Sequence, residues 1–251
     1  MAKFRRKISN SRERRLEKVE QVITRLTLMC WLPMAGFCLY AYVDFVDIQV
    51  KAQTPIEVIT AKPDAANGYT FTNLRDLNSD VVGWIELTGT KIDFPVLKSD
   101  DNEYYLRRDY LQRYSISGSI FMDYRNNKNF ADNVSVVYGH RMSKGQMFSD
   151  VGRYAEKDFF ERYGSGYLTT ADGKRHRLTV YAYAVVNADN SLYSVDSIKG
   201  FSPKALLSMV LPGVRWGRLD NIQDAARVII LSTCDTGSKN NRDILLIGLE
   251  N

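Results

Sequence analysis

Cys234, His140 and Arg242 are the residues of this sequence whose types and settings could carry out covalent chemistry. Cys234 ends an almost wholly apolar run that starts at Arg227. A turn-rich stretch, Asp235-Thr-Gly-Ser-Lys-Asn-Asn241, follows it, and Arg242 then opens a second apolar run, Ile244–Leu249. His140 is joined to a third apolar run, Val134–Tyr138, by a single glycine. A thiol, an imidazole and a guanidinium are the parts that acyl transfer by a cysteine nucleophile requires. The thiolate attacks a carbonyl, the imidazole moves protons to and from nucleophile and leaving group, and a fixed cation stabilises the oxyanion. Each residue also has a plain structural reading: a small buried hydrophobe, a turn residue and a solvated strand-edge charge. The residues alone leave both readings open. The chain's other histidine, His176, sits in Ala171-Asp-Gly-Lys-Arg-His-Arg177, whose Asp-Gly signals a hairpin turn, and reads as surface.

The three residues must be positioned by the runs that precede or follow them. Apolar run, turn-rich stretch and apolar run make a hairpin, so Cys234 and Arg242 are expected to face each other although eight positions separate them. Further short β-type runs bounded by turn residues are Val82–Leu87, Ile92–Leu97, Ser119–Asp123 and Leu178–Val186. Helical spacing is found at Phe71–Asp80 and around Asn102–Tyr110, Met147–Tyr154 and Pro203–Val210. Strands this dense, without a helix after each, predict a mostly antiparallel closed or half-closed barrel with helices inserted in its loops. The acidic residues Asp100, Asp101 and Glu103 read as a helix N-terminus, where exposed backbone amides favour them, and not as a calcium site.

The chain has 251 residues and a formal net charge of +5, and that charge is unevenly placed. Residues 1–25 hold nine Lys or Arg against three Glu, leaving 25 basic and 26 acidic residues in the remainder. A near-neutral body excludes a basic nucleic-acid face. From Leu26 to Val43 eighteen residues run without a charge, close to the roughly 20 needed to cross a bilayer. The run ends in Tyr40, Tyr42 and Val43 with no small-residue exit, so it reads as an uncleaved anchor and not a signal peptide. The basic excess before it predicts residues 1–25 as a cytoplasmic tail, 26–43 as the transmembrane segment, 44–70 as an extracellular stalk and 71–251 as the exported catalytic body. Cys30 and Cys38 fall inside the span. Cys234 is therefore alone in the body, where no disulfide can form and an unpaired thiol is either buried or functional.

Read together, these segments resemble a sortase of class B, the cysteine transpeptidases that attach secreted proteins to the Gram-positive cell wall. The resemblance lies in Ile230-Leu-Ser-Thr-Cys234, in Tyr138-Gly-His-Arg-Met142 with Met147-Phe148, and in four upstream blocks. These are Asn78-Ser-Asp-Val-Val-Gly-Trp-Ile85, Phe94-Pro-Val96, Asp101-Asn-Glu-Tyr-Tyr-Leu106 and Gly118-Ser-Ile-Phe-Met-Asp123. It spans roughly residues 71 to 248 in order. It implies a closed eight-stranded barrel with inserted helices. It also implies Cys234 as nucleophile, His140 as general acid and base, and Arg242 as the residue that positions substrate and stabilises the oxyanion. The stretch between Val186 and Arg227 is similar to the helical insertion that marks class B.

Two positions depart from the family pattern. Ile230 stands where Thr is usual, inside a strand where it tunes packing. Asp243 stands where an apolar residue is usual; strand alternation sends it to the face opposite Arg242, whereas a bulge would let the two pair. The resemblance implies cleavage of a sorting motif of the form Asn-Pro-x-Thr-x, or a variant, after Thr. A thioester on Cys234 is then passed to an amine of a peptidoglycan precursor or, as in some class B members, to a pilin Lys. No cofactor or metal is expected. Absence of an Asp-Pro-aromatic lid motif and of a second apolar span counts against the pilus-building class C. A catalytically silent extracellular binding domain and a hydrolytic cysteine peptidase are the alternatives from other classes.

Overall fold

The computed structural model describes residues 2–51, 53–63, 70–142, 146–193, 201–219, 222, 227–234 and 240–250. The chain divides into two compact units, residues 1–49 and 50–251. The first is helical: α1, Ala2–Lys51, contains both the basic tail and the uncharged run. Its portion from Arg14 to Val50 is long and apolar enough to cross a membrane, with a mean hydropathy of 1.6 over its most apolar window and nothing buried. Within it the Thr24 and Thr27 hydroxyls donate to carbonyls four residues back, so these polar groups are satisfied by the helix itself.

The second unit begins before the expected catalytic body. Helix α2, Ile56–Thr60, follows Pro55, whose fixed φ suits a helix start. Val58 and Ala61 are buried in the core of the body. Next to them Lys62 bridges Glu86 at 2.9 Å and Asp93 at 2.6 Å. Of the residues expected to form a stalk, 56–62 thus lie against the body; the Asn67-Gly68 turn lies outside the described residues. Helix α3, Phe71–Leu77, buries Phe71 and Leu74.

Among the described residues nine strands follow: β1 Val81–Leu87, β2 Asp93–Leu97, β3 Phe121–Met122, β4 Val134–Tyr138, β5 Ser165–Thr170, β6 Arg175–Asn187, β7 Val214–Gly217, β8 Arg227–Cys234 and β9 Asn241–Leu249. Eight of them close a ring in the order β5-β1-β2-β3-β4-β8-β9-β6, with β6 returning to β5. Strand β7 pairs with β6 outside the ring. The thirteen-residue β6 makes this possible: its first residues pair with β5, its later ones with β7, and β9 runs along its other edge. Closure leaves the ring with no free edge. The pairings are antiparallel except β2–β3 and β4–β8. The expected barrel is therefore present, with two parallel contacts that local pattern does not announce.

One apolar cluster draws on all eight ring strands, including Ile85, Val96, Val137, Leu168, Ile229 and Leu245, and fills the barrel. A second lies on the outside of β4, β6, β8 and β9. There Val136, Ile230, Ile244 and Leu246 are covered by Leu206, Leu207 and Val210 of helix α6, Pro203–Val210. These strands are buried on both faces, which is why they read as continuous apolar runs. Two short helices, here α4 (Ser149–Arg153) and α5 (Lys157–Arg162), lie between β4 and β5.

Candidate active site

Strands β4, β8 and β9 are consecutive neighbours in the ring. Parallel pairing sets Val134 against Val228 and carries the register to Tyr138 against Ser232. The ladder extends one rung further, because the Gly139 amide donates to the Ser232 carbonyl at 3.2 Å. Two residues beyond Tyr138 comes His140, and two residues beyond Ser232 comes Cys234, the last residue of β8. On the other side Cys234 is the Cα partner of Arg242 in β9. Register alone therefore brings residues 140, 234 and 242 to one end of three adjacent strands. The stretch 235–239 of the connecting turn lies outside the described residues.

Glycine is required between Tyr138 and His140. A Cβ on Gly139 would stand 2.4 Å from Ile120 Cδ1 and 2.6 Å from the Phe148 ring, so the chain reaches His140 by passing through a gap without room for a side chain. The amide of Phe148 donates to the His140 carbonyl at 3.0 Å. On the ring, Nε2 lies 3.1 Å from the Leu106 carbonyl. A carbonyl only accepts, so this contact assigns a proton to Nε2 and, in the neutral ring, leaves Nδ1 with the free lone pair.

Arg242 donates from Nη1 to the Asn241 carbonyl at 3.2 Å. Its neighbour Asp243 does not pair with it. Asp243 occupies the barrel-side face of β9 with Leu245 and Ile247, where it accepts from Arg141 Nη1 at 2.5 Å and from the Tyr183 hydroxyl at 2.6 Å. Strand alternation therefore governs this departure from the family pattern, and the paired Asp243 leaves Arg242 to the other face.

His140, Arg242, Leu106, Phe121, Tyr138 and Tyr193 line a cleft of about 260 Å³. Its wall is largely apolar and includes the rings of Phe121, Tyr138 and Tyr193. The aromatics are held from behind by Asp123, which is fully buried. Burial alone would raise this carboxyl. Hydrogen bonds from Arg125, Asn102 and Tyr138 outweigh it and hold the group below the ordinary carboxylate value. Arg125 also reaches the Tyr193 carbonyl at 3.4 Å, and the Tyr193 hydroxyl pairs with Ser232 Oγ at 2.8 Å. The Asp123–Arg125 pair thus supports Tyr138 and Tyr193, which share the cleft with His140. Burial, followed by the charge of Asp123, pushes the Tyr138 phenol far up, so it stays a neutral donor.

His176 lies on β6 opposite Leu168, partly exposed and away from this cleft. Sequence reasoning missed Asp123, Arg125, Arg141 and Tyr193. A signal existed for the first two, since Asp side chains commonly accept the amide two residues on in a turn, as Asp123 does from Arg125. Among the described residues no group of three or more His, Cys, Asp or Glu is placed to hold a metal ion.

The sortase-domain family model matches residues 85–248. A curated relative, sortase B of Listeria monocytogenes serovar 1/2a, is 36% identical over 182 residues, covering 68% of this chain and 70% of that protein. The chain belongs to the sortase family, in class B. Among solved sortase structures, a Streptococcus pyogenes class B sortase involved in pilus biogenesis matches with a TM-score of 0.64 and 29% identity. That match covers 72% of this chain and 98% of the other. Clostridium perfringens sortase B matches with a TM-score of 0.63 and 30% identity, covering 72% and 99%. The sortase ring of eight strands is what this chain closes, and the helical cover over β6, β8 and β9 supplied by α6 lies where the resemblance implied an insertion.

Proposed function

We propose that the chain is a membrane-anchored transpeptidase in which Cys234 is the nucleophile, His140 the general acid and base, and Arg242 the oxyanion-stabilising residue. The observation that carries this is the register, which brings residues 140, 234 and 242 to one end of β4, β8 and β9 beside the aromatic cleft. The thiolate of Cys234 attacks the carbonyl carbon of Thr in a sorting motif, Asn-Pro-x-Thr-x or a variant. A C–S bond forms and the carbonyl oxygen takes up negative charge, which the guanidinium donors of Arg242 stabilise. The C–N bond then breaks as protonated His140 gives its Nδ1 proton to the departing amine, leaving a thioester. An incoming amine attacks the thioester, loses a proton to His140 and displaces the thiolate. Helix α1 anchors the catalytic unit, with the basic residues before the span on the cytoplasmic side and residue 44 onward outside.

The acceptor amine is that of a peptidoglycan precursor in this reading. The similarity to a Streptococcus pyogenes sortase involved in pilus biogenesis favours a second one, in which a pilin Lys is the acceptor.

Residues 50–251, incubated with a sorting-motif peptide in the presence and absence of an amine acceptor, test the reading by product analysis. A new amide formed only when the amine is present is expected. Hydrolysis at one rate regardless of amine would make the chain a peptidase. No cleavage, and no covalent adduct with a thiol-reactive peptide analogue, would make it a binding domain.

A further inference from the structure

Arg141 and Asp243 are each the residue immediately after a proposed catalytic side chain, and they meet on the opposite side of the sheet. Arg141 Nη1 and Asp243 Oδ2 are 2.5 Å apart, and the Asp243 side chain is 2% exposed. The other carboxylate oxygen accepts from Tyr183 on β6. The guanidinium of Arg141 is seated over Gly152 of α4, where an added Cβ would stand 2.6 Å from its central carbon. His140 lies beyond the end of the β4–β8 pairing, so the chain there is held by few ladder bonds.

We infer that the Arg141–Asp243 ion pair positions the proposed active site: from inside the barrel it ties the chain just after His140 to the chain just after Arg242. The inference rests on the reading of those two residues as catalytic. Neither Arg141 nor Asp243 touches substrate; both are positioning residues. A pair bridging β9 and the segment after β4 spans β8, the strand that ends in Cys234, and so fixes the spacing of the two groups that flank the nucleophile. Gly152 is part of the device, because only a residue without a side chain leaves the guanidinium its seat.

Two variants separate positioning from mere stability. Gly152→Ala occupies the seat and displaces a flexible side-chain end, while its helical backbone accepts an L residue, so the fold is retained. It should keep one cooperative unfolding transition, at a lower melting temperature because Asp243 loses part of its pairing, while kcat falls by roughly 10- to 100-fold, the scale for a catalytic group displaced by about 1 Å, with KM little changed. Arg141→Leu/Asp243→Leu removes both charges at once, which an apolar interior tolerates, and should show the same split between a preserved fold and a reduced kcat. Wild-type kcat in either folded variant overturns the inference. If one variant fails to fold the other decides, and if both fail Asp243→Asn, which keeps the shape and loses the charge, decides by the same criterion. His140→Ala and Arg242→Ala are assayed alongside. Activity in either of those sinks the underlying catalytic reading, whereas their inactivity beside fully active Gly152→Ala sinks the positioning alone.

Discussion

The Gly139 amide donates to the Ser232 carbonyl at 3.2 Å, one rung past the last paired residue of β4. That bond keeps the chain in step with β8 up to the residue before His140, and it depends on the absence of a side chain at 139. Gly139→Ala should push against Ile120 and Phe148, cost about 1–3 kcal/mol of stability as overpacking does, and lower transpeptidation in the molecules that remain folded. Thermal melts and initial rates on the same samples check both halves; an unchanged rate would show that the tight passage does not set the place of His140.

Cys234→Ala should retain the fold and lose turnover by about 10⁴ or more, because the acyl-enzyme requires the sulfur. Intact-protein mass spectrometry after exposure to a thiol-reactive peptide analogue should show one adduct on residues 50–251 of the wild type and none on the variant. An adduct that persists would place the reactive group elsewhere.

For Arg242, Lys keeps the charge but loses the planar set of donors that can hold two acceptors in fixed geometry. Arg242→Lys should lose roughly 10²–10³ in kcat, the scale for removal of one oxyanion donor, and Arg242→Ala at least as much. The rate of simple thiol alkylation, measured beside transpeptidation, should change far less. Near-wild-type transpeptidation by the Lys variant would mean that a local positive charge suffices.

Asp123 gives a pH-dependent prediction. Its folded carboxyl is held below the ordinary value of 3.8, so its contribution is fully present above that value and is lost as pH falls through the folded one. Asp123→Asn leaves the Arg125 guanidinium, 10% exposed, without its charge partner and should cost about 3–5 kcal/mol near neutral pH. Urea midpoints should show the gap between wild type and variant narrowing below about pH 3.8. A gap independent of pH would indicate that hydrogen-bond geometry, and not charge, is what Asp123 supplies.

The strands that hold residues 234 and 242 and lead to 140 were legible because they are buried twice over: β4, β8 and β9 lie between two apolar clusters and print runs of Val, Ile and Leu, broken by Ser135 in β4 and Gly248 in β9. Strands β5, Ser165–Thr170, and β7, Val214–Gly217, escaped because β5 alternates exposed with buried residues, β7 alternates partly buried with exposed ones over only four positions, and both start or end on polar residues or glycine. The helix expected over Asn102–Tyr110 shrinks to a 3₁₀ turn at Tyr104–Leu106. Asp101 accepts the amides of Glu103 and Tyr104, as an acidic helix start predicts, but the chain reverses at Asp109, whose carboxylate takes the amides of Leu111 and Arg113. The parallel contact between β4 and β8 joins segments far apart in sequence, so no local pattern could show it. The fate of Asp243 was legible in outline from alternation, yet its partner Arg141 was not, since the two are 102 positions apart.

Closure of the ring has a consequence for when this molecule can become active. The strand between β4 and β9 is β8, and both β8 and β9 belong to the final 25 residues of the sequence. Until they are in place the sheet is open, with β4 and β6 presenting unpaired edges, and the long-range pairings that order the chain carry the loop-closure cost of distant segments. Cys234 and Arg242 arrive on the two strands that shut the gap, so the event that completes the fold is also the event that assembles the three side chains. A chain cut short before β9 would lack residue 242 and leave β8 with an unpaired edge, so on the proposed reading it would hold no assembled site.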